Sequence, residues 1–143
     1  MLYLPDSNIL IYAKMTGMAE HIAAFSWLNT TLNDSNSIIF VCETTVLSFL
    51  RITTNNKVFN PPLPFAEAIA FISSFVTHPR VSISRTSPQH YIDVAGFMKK
   101  NNFGGNLTMD AHLAVLAIHT GAVLVTRDRD FMRIPYLKIL NPL

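Results

Sequence analysis

The chain has 143 residues and a mass of 16.0 kDa; half of its residues are apolar, only 14% are charged, and the net charge is +2 with a pI near 8.9. That length suits one domain, residues 1–143, with a full core, and no run of about 18 apolar residues is available to span a membrane. The opening MLYLPDSN lacks the basic and long apolar regions of a secretory signal, and the lone Cys42 cannot form an internal disulfide, so a reducing, cytoplasmic location is expected, with Cys42 as a buried core thiol. A surface so poor in charge is expected to keep an apolar patch that a partner covers. Four of the eleven basic residues, Arg127, Arg129, Arg133 and Lys138, fall in the last 17 positions, a weak pointer to nucleic acid.

Residues 1–4 form a short apolar run, and Asp6, Ser7 and Asn8 are capping residues ahead of the apolar stretch 9–13, which predicts a strand and then a helix. Residues 18–32 read as a helix with Ile22, Phe25, Leu28 and Leu32 on one stripe. The run SIIFVC, 37–42, has the continuous β-branched character of a buried parallel strand. Thr44 or Thr45 is predicted to cap the next helix, with Val46, Leu47, Phe49 and Leu50 inside. A polar, Pro-rich connection leads to a helix over 65–76 with Phe65, Ile69, Ile72 and Val76 in register. A short strand at 81–84 precedes a helix opened by Ser87-Pro88 and running to about Asn101. After the loop NNFGGN, Thr108 is predicted to cap a helix through His119 that Gly121 ends. Residues 123–126 read as a buried strand and 138–140 as an edge strand. Strands alternating with helices predict an α/β fold with a mainly parallel sheet.

The nine acidic residues are sparse enough for their placement to carry information. Asp6 follows the first strand, Glu43 follows SIIFVC, Asp110 lies in the first turn of the Thr108 helix, and Asp128 and Asp130 follow VLVT. In a parallel sheet, residues just beyond the strands share the edge where such folds place their sites. Each acid alone has a sufficient reason as a helix cap or first-turn residue. Together they form a cluster whose mutual repulsion a bound cation relieves. Oxygen-only ligands select a hard ion, Mg²⁺ or Mn²⁺, and such an ion suits phosphodiester cleavage. The five histidines have no metal-ligand spacing, the glycine pair is not a phosphate-binding fingerprint, and no nucleophile motif is present. An aspartyl phosphotransfer site would need a lysine near the late strands, and Lys138, the one available, follows the wrong segment.

The segments MLYLPDSNILIYA, FLRITTNNKVF and GGNLTMDAHLAVLAIHTGAVLVTRDRDFMRIPYLKILNPL resemble the PIN-domain family, and within it the VapC-type toxins of prokaryotic toxin–antitoxin pairs. The resemblance covers nearly the whole chain and is most specific from Gly105 onward. It implies a three-layer α/β/α fold and a metal-dependent endoribonuclease whose substrate is RNA. It also implies a homodimer and a cognate VapB-type antitoxin. Matched position by position, Asp6 and Asp110 are implied metal ligands, Asp128 a third catalytic acid acting through water or a second metal, and Thr126 and Asn8 residues that orient them. Asp130 is implied to assist or to order the loop before Phe131. The family's usual helix Glu precedes a Leu-Arg pair, and here Phe49 holds that place, which leaves Glu43 as a possible substitute from the strand end. Arg51, Arg127 and Arg129 are candidate contacts to RNA phosphates, with solvated loop residues as the alternative for the last two. A PIN-like module that binds RNA or protein without cutting is the competing reading.

Overall fold

The computed structural model describes all 143 residues. Five strands, β1 (Leu2–Pro5), β2 (Ile38–Val41), β3 (Val81–Ile83), β4 (Val123–Val125) and β5 (Ile139–Leu140), form one sheet in the order β3-β2-β1-β4-β5. Every neighbouring pair is parallel. The helices are α1 (Ser7–Lys14), α2 (His21–Asn33), α3 (Glu43–Thr53), α4 (Phe65–Val76), α5 (Pro88–Asn101) and α6 (Thr108–Thr120).

Alternation along the strands sorts the side chains between two cores. Ile39 and Val41 pack with Leu10, Leu28, Phe49 and Ile72 from α1 to α4. Leu4, Cys42 and Leu124 pack with α5, α6 and the buried Phe103 and Phe131. The result is three layers with the sheet in the middle, and no helix is long and apolar enough to cross a membrane. Cys42 is buried, as expected.

Helix positions follow the sequence pattern, but two buried faces do not. α2 starts at His21, and the expected stripe is turned outward at its first half: Ile22 is 81% exposed and Phe25 is also exposed. Ala24, Leu28 and Thr31 are the buried set. Ala24 and Ala13 of α1 belong to the same core, and small residues of this kind admit close helix approach. In α4, Phe65 is 74% exposed and Ile69 is exposed, while Ala68, Ile72 and Phe75 are buried. Both helices are apolar on more than one face, so hydrophobicity cannot choose between them.

Two caps also differ. α3 begins at Glu43 with Cys42 in the cap position, and Thr45 turns its hydroxyl to the Cys42 sulfur at 3.1 Å instead of capping. Leu47 of α3 is exposed. Thr108 is already helical: a 3-10 turn, Gly105–Leu107, leads into α6, and the Thr108 hydroxyl donates back to the Gly105 carbonyl at 2.8 Å. Gly121 ends α6 in the left-handed conformation (φ 69°), which glycine adopts without a Cβ penalty.

Phe49 is fully buried and stacks on Phe71 with ring centroids 4.9 Å apart. Phe49→Ala is expected to lower stability by about 3–5 kcal/mol, whereas Phe65→Ala, at an exposed position, stays within about 0.5 kcal/mol. Urea unfolding of both variants checks which apolar face forms the core.

Candidate metal centre

Strand order sets the site. From β1 the chain first builds outward on one side, through β2 to β3, and then returns to add β4 on the other. The carboxyl ends of β1 and β4 therefore flank the point where the winding reverses, the place where open parallel sheets form their crevice. Asp6 follows β1 and caps α1; the Asn8 amide donates to its Oδ1 at 2.9 Å and the Ser7 hydroxyl to the same oxygen at 3.4 Å. Thr126 follows β4, is buried, and donates from Oγ1 to Asp6 Oδ2 at 2.9 Å. The same Thr126 oxygen accepts from the Asp128 amide at 3.0 Å. Asp128 in turn caps a 3-10 turn, Arg129–Arg133, by accepting from the Asp130 amide at 2.9 Å. One hydroxyl thus fixes both Asp6 and the loop that carries Asp128.

Asp110, in the first turn of α6, faces the same cleft of about 230 Å³, lined also by Asp6, Asn8, Asp128, Ser48 and Arg51. Burial pushes the Asp6 carboxyl above the usual carboxylate range, against its hydrogen bonds, and the charge of Asp128 adds to the rise. Asp110 is pushed up to about 6, first by burial and then by the charges of Asp128, Asp6 and Asp130. These acids share one electrostatic field. The donor set is all oxygen, which fits a hard divalent ion. No three His, Cys, Asp or Glu side chains approach closely enough to enclose an ion unaided, which also fits Mg²⁺, an ion that keeps several waters and takes one or two carboxylates.

The remaining expected residues divide. Asn8 lines the cleft, but it is its backbone amide that holds Asp6. Asp130 acts through its backbone on Asp128, and its carboxylate adds to the field at Asp110. Arg51 lines the cleft, and Arg129 lines an adjoining groove that shares Asn8 and Asp128 with it. Arg127 lines the same adjoining groove, where it pairs with Glu20 and lies over the Tyr12 ring, 5.5 Å from the centroid. Glu43 is exposed and lines a neighbouring groove, not the cleft. Phe49 is in the core, so the α3 positions that line the cleft are Thr44, Thr45, Ser48, Arg51 and Ile52. Ser48 escaped the sequence reading, although it lies on the Thr44 and Thr45 face at helical spacing. Tyr12 and Glu20 were missed because their role depends on a partner 107 residues from Glu20. No lysine lines the cleft, so Lys138 offers nothing to aspartyl phosphotransfer there.

For an acid raised in the folded state, the native protein holds its proton above the pH at which the unfolded chain releases it. Stability of the metal-free protein therefore falls as pH rises from about 4 to about 6, and then levels. Metal-free Asp110→Asn is expected to be the more stable at pH 7 by about 1 kcal/mol, a value reduced by solvent screening of a half-exposed group. The two proteins should converge below pH 4. Thermal melts from pH 3.5 to 8 in chelator check this, and a wild type favoured at pH 7 contradicts the shared field.

The chain matches the PIN domain over residues 3–136. It is 34% identical over 140 residues to Ribonuclease VapC33 of Mycobacterium tuberculosis, spanning 98% of this chain and 97% of that protein. It is 31% identical over 128 residues to Ribonuclease VapC37 of the same organism, spanning 90% and 88%. In fold it is similar to Mycobacterium tuberculosis VapC20, a sarcin-ricin loop cleaving toxin, with a TM-score of 0.75 at 10% identity over 99% of this chain and 100% of that one. It is likewise similar to VapBC2 from Rickettsia felis, solved bound to a DNA fragment from its promoter, with a TM-score of 0.72 at 20% identity over 99% and 98%. The parallel α/β/α arrangement and the near full-length likeness to VapC ribonucleases lead to one conclusion: the chain belongs to the PIN-domain family.

Proposed function

We propose that the chain is a metal-dependent endoribonuclease, the VapC-type toxin of a toxin–antitoxin pair. The observation that carries this reading is the convergence of Asp6, Asp110 and Asp128 on one cleft at the reversal point of a parallel sheet. Asp6 and Asp110 would hold Mg²⁺ or Mn²⁺ directly, with Asp128 behind them. When bound, such an ion lowers the pKa of a water and neutralises charge on a phosphate oxygen. Thr126 keeps Asp6 in one rotamer and orients the Asp128 loop, the supporting role that outer hydrogen bonds have around metal ligands. Asp110, at the helix N-terminus, is the group whose proton competes with a cation near neutral pH. Arg51 and Arg129 lie where RNA phosphates would cross the cleft. Glu43, one residue from the cleft wall, is the candidate fourth acid.

The partner reading rests on surface chemistry. Ile22, Phe25, Phe65 and Ile69 leave large apolar side chains on the outside of α2 and α4, and a trough of about 370 Å³ between these helices is lined by Leu28, Leu32, Phe71 and Phe75. A VapB-type antitoxin is the proposed cover for this face, and a homodimer the proposed assembly; this accounts for a surface too poor in charge to stand alone.

Purified protein, freed of any copurified antitoxin, is expected to cut total RNA with Mg²⁺ or Mn²⁺ and to stop with EDTA. Asp6→Asn should abolish cutting, and Thr126→Val should slow it about 10- to 100-fold. Absence of cutting by folded, metal-loaded protein would favour the non-catalytic RNA- or protein-binding reading, with Ser48 and Phe49, in place of a helix acid, as the reason.

A further inference from the structure

A second groove, of about 420 Å³, adjoins the carboxylate cleft at the ends of β2 and β3 and the starts of α3 and α6; Thr44 and Met109 line both. On the opposite flank, the Arg129 groove shares Asn8 and Asp128 with the cleft. The three depressions therefore make one track that crosses the acids. A strand laid along it has its reacting phosphate at the carboxylates and a neighbouring nucleotide in the Thr44–Met109 groove.

The groove wall has features that the mechanism leaves unused. Tyr91 is 62% exposed, and its hydroxyl lies 3.0 Å from the Thr86 hydroxyl, a contact that limits the ring's freedom. Arg85 is exposed and forms no ion pair. Ser84 Oγ and His112 Nε2 are buried side-chain atoms without a hydrogen-bond partner, and both residues line this groove. His112 Nδ1 is paired with His90 Nε2 at 2.7 Å, and the ring also lies against the Cys42 thiol.

We propose that this groove binds one unpaired ribonucleotide next to the scissile phosphate, its base stacked on Tyr91 and its phosphate on Arg85. Unstacked bases are read by aromatic faces and by hydrogen bonds to their edges, whereas a duplex hides both. The groove therefore selects single-stranded segments and loops. This assignment rests on the nuclease reading.

Binding is measured by fluorescence anisotropy, with a short single-stranded RNA and Asp6→Asn protein so that the RNA stays whole. Tyr91→Ala is expected to weaken binding about 5- to 100-fold, the range of one base–aromatic stack, and Tyr91→Phe to restore it. Arg85→Ala should weaken binding and reduce the log–log salt slope by about one. The same sequence as a duplex should compete poorly. Unchanged affinity in Tyr91→Ala or equal competition by duplex overturns the proposal. Kinetics of the otherwise wild-type protein separate the two readings. If it cuts RNA but Tyr91→Ala leaves KM unchanged, the groove assignment fails and the nuclease stands. If it cuts nothing while binding still depends on Tyr91, the groove stands and the nuclease reading fails.

Discussion

The hydroxyl of Thr126 ties the two ends of the polypeptide into one site. It donates to a carboxylate 120 positions earlier and accepts the amide of Asp128. This bond exists because β1 and β4, distant in sequence, are neighbours in the sheet, with Pro5 opposite Val125 and the Asp6 amide bonded to the Val125 carbonyl at 3.0 Å. Parallel pairing brings both strands to an end at the same edge, and the reversal of winding opens the space between them. The positions of Asp6 and Asp128, and the shared field at Asp110, follow from that placement.

Crowding of like charges is the energetic counterpart of this geometry. Burial and mutual repulsion hold Asp6 and Asp110 above the ordinary carboxylate range. Arg51 is the guanidinium that lines the cleft, while Arg127 pairs with Glu20 beside it. Crowding of this sort is what the proposed cation would relieve. The thiol of Cys42 on the same edge is a contrast: burial pushes it up, but the adjacent His112 ring and the hydroxyls of Thr44 and Thr45 outweigh that and bring it down to about 7.

The sequence made legible what local chemistry decides. Asp6 and Asp128 are legible because an acid directly after a buried strand must fall at the sheet edge, whatever the rest of the chain does. The strands at 37–42 and 123–126 are legible because β-branched apolar runs have few alternatives. The helix faces of α2 and α4 were not legible, since Ile22 and Phe65 are as hydrophobic as the residues that are buried in their place. Ala24 and Ala68 win on size, and size matters only when the neighbouring helix is known. Phe49 holds the place of the family's helix Glu in the sequence, and its ring belongs to the stack with Phe71 in the core. The Glu20–Arg127 pair needs the closed sheet to exist at all.

The sheet order has a further consequence for the life of the chain. β4 lies inside the sheet beside the central β1 but is made fourth of five, and the contact that completes the cleft joins Asp6 to Thr126. Contacts of such sequence separation form late. A nascent chain emerging from the ribosome can build the Phe49 core and much of the sheet while its acids remain apart. The residues of β4 must be in place before the cleft exists, so the carboxylate site belongs to the closed sheet and to no smaller part of it.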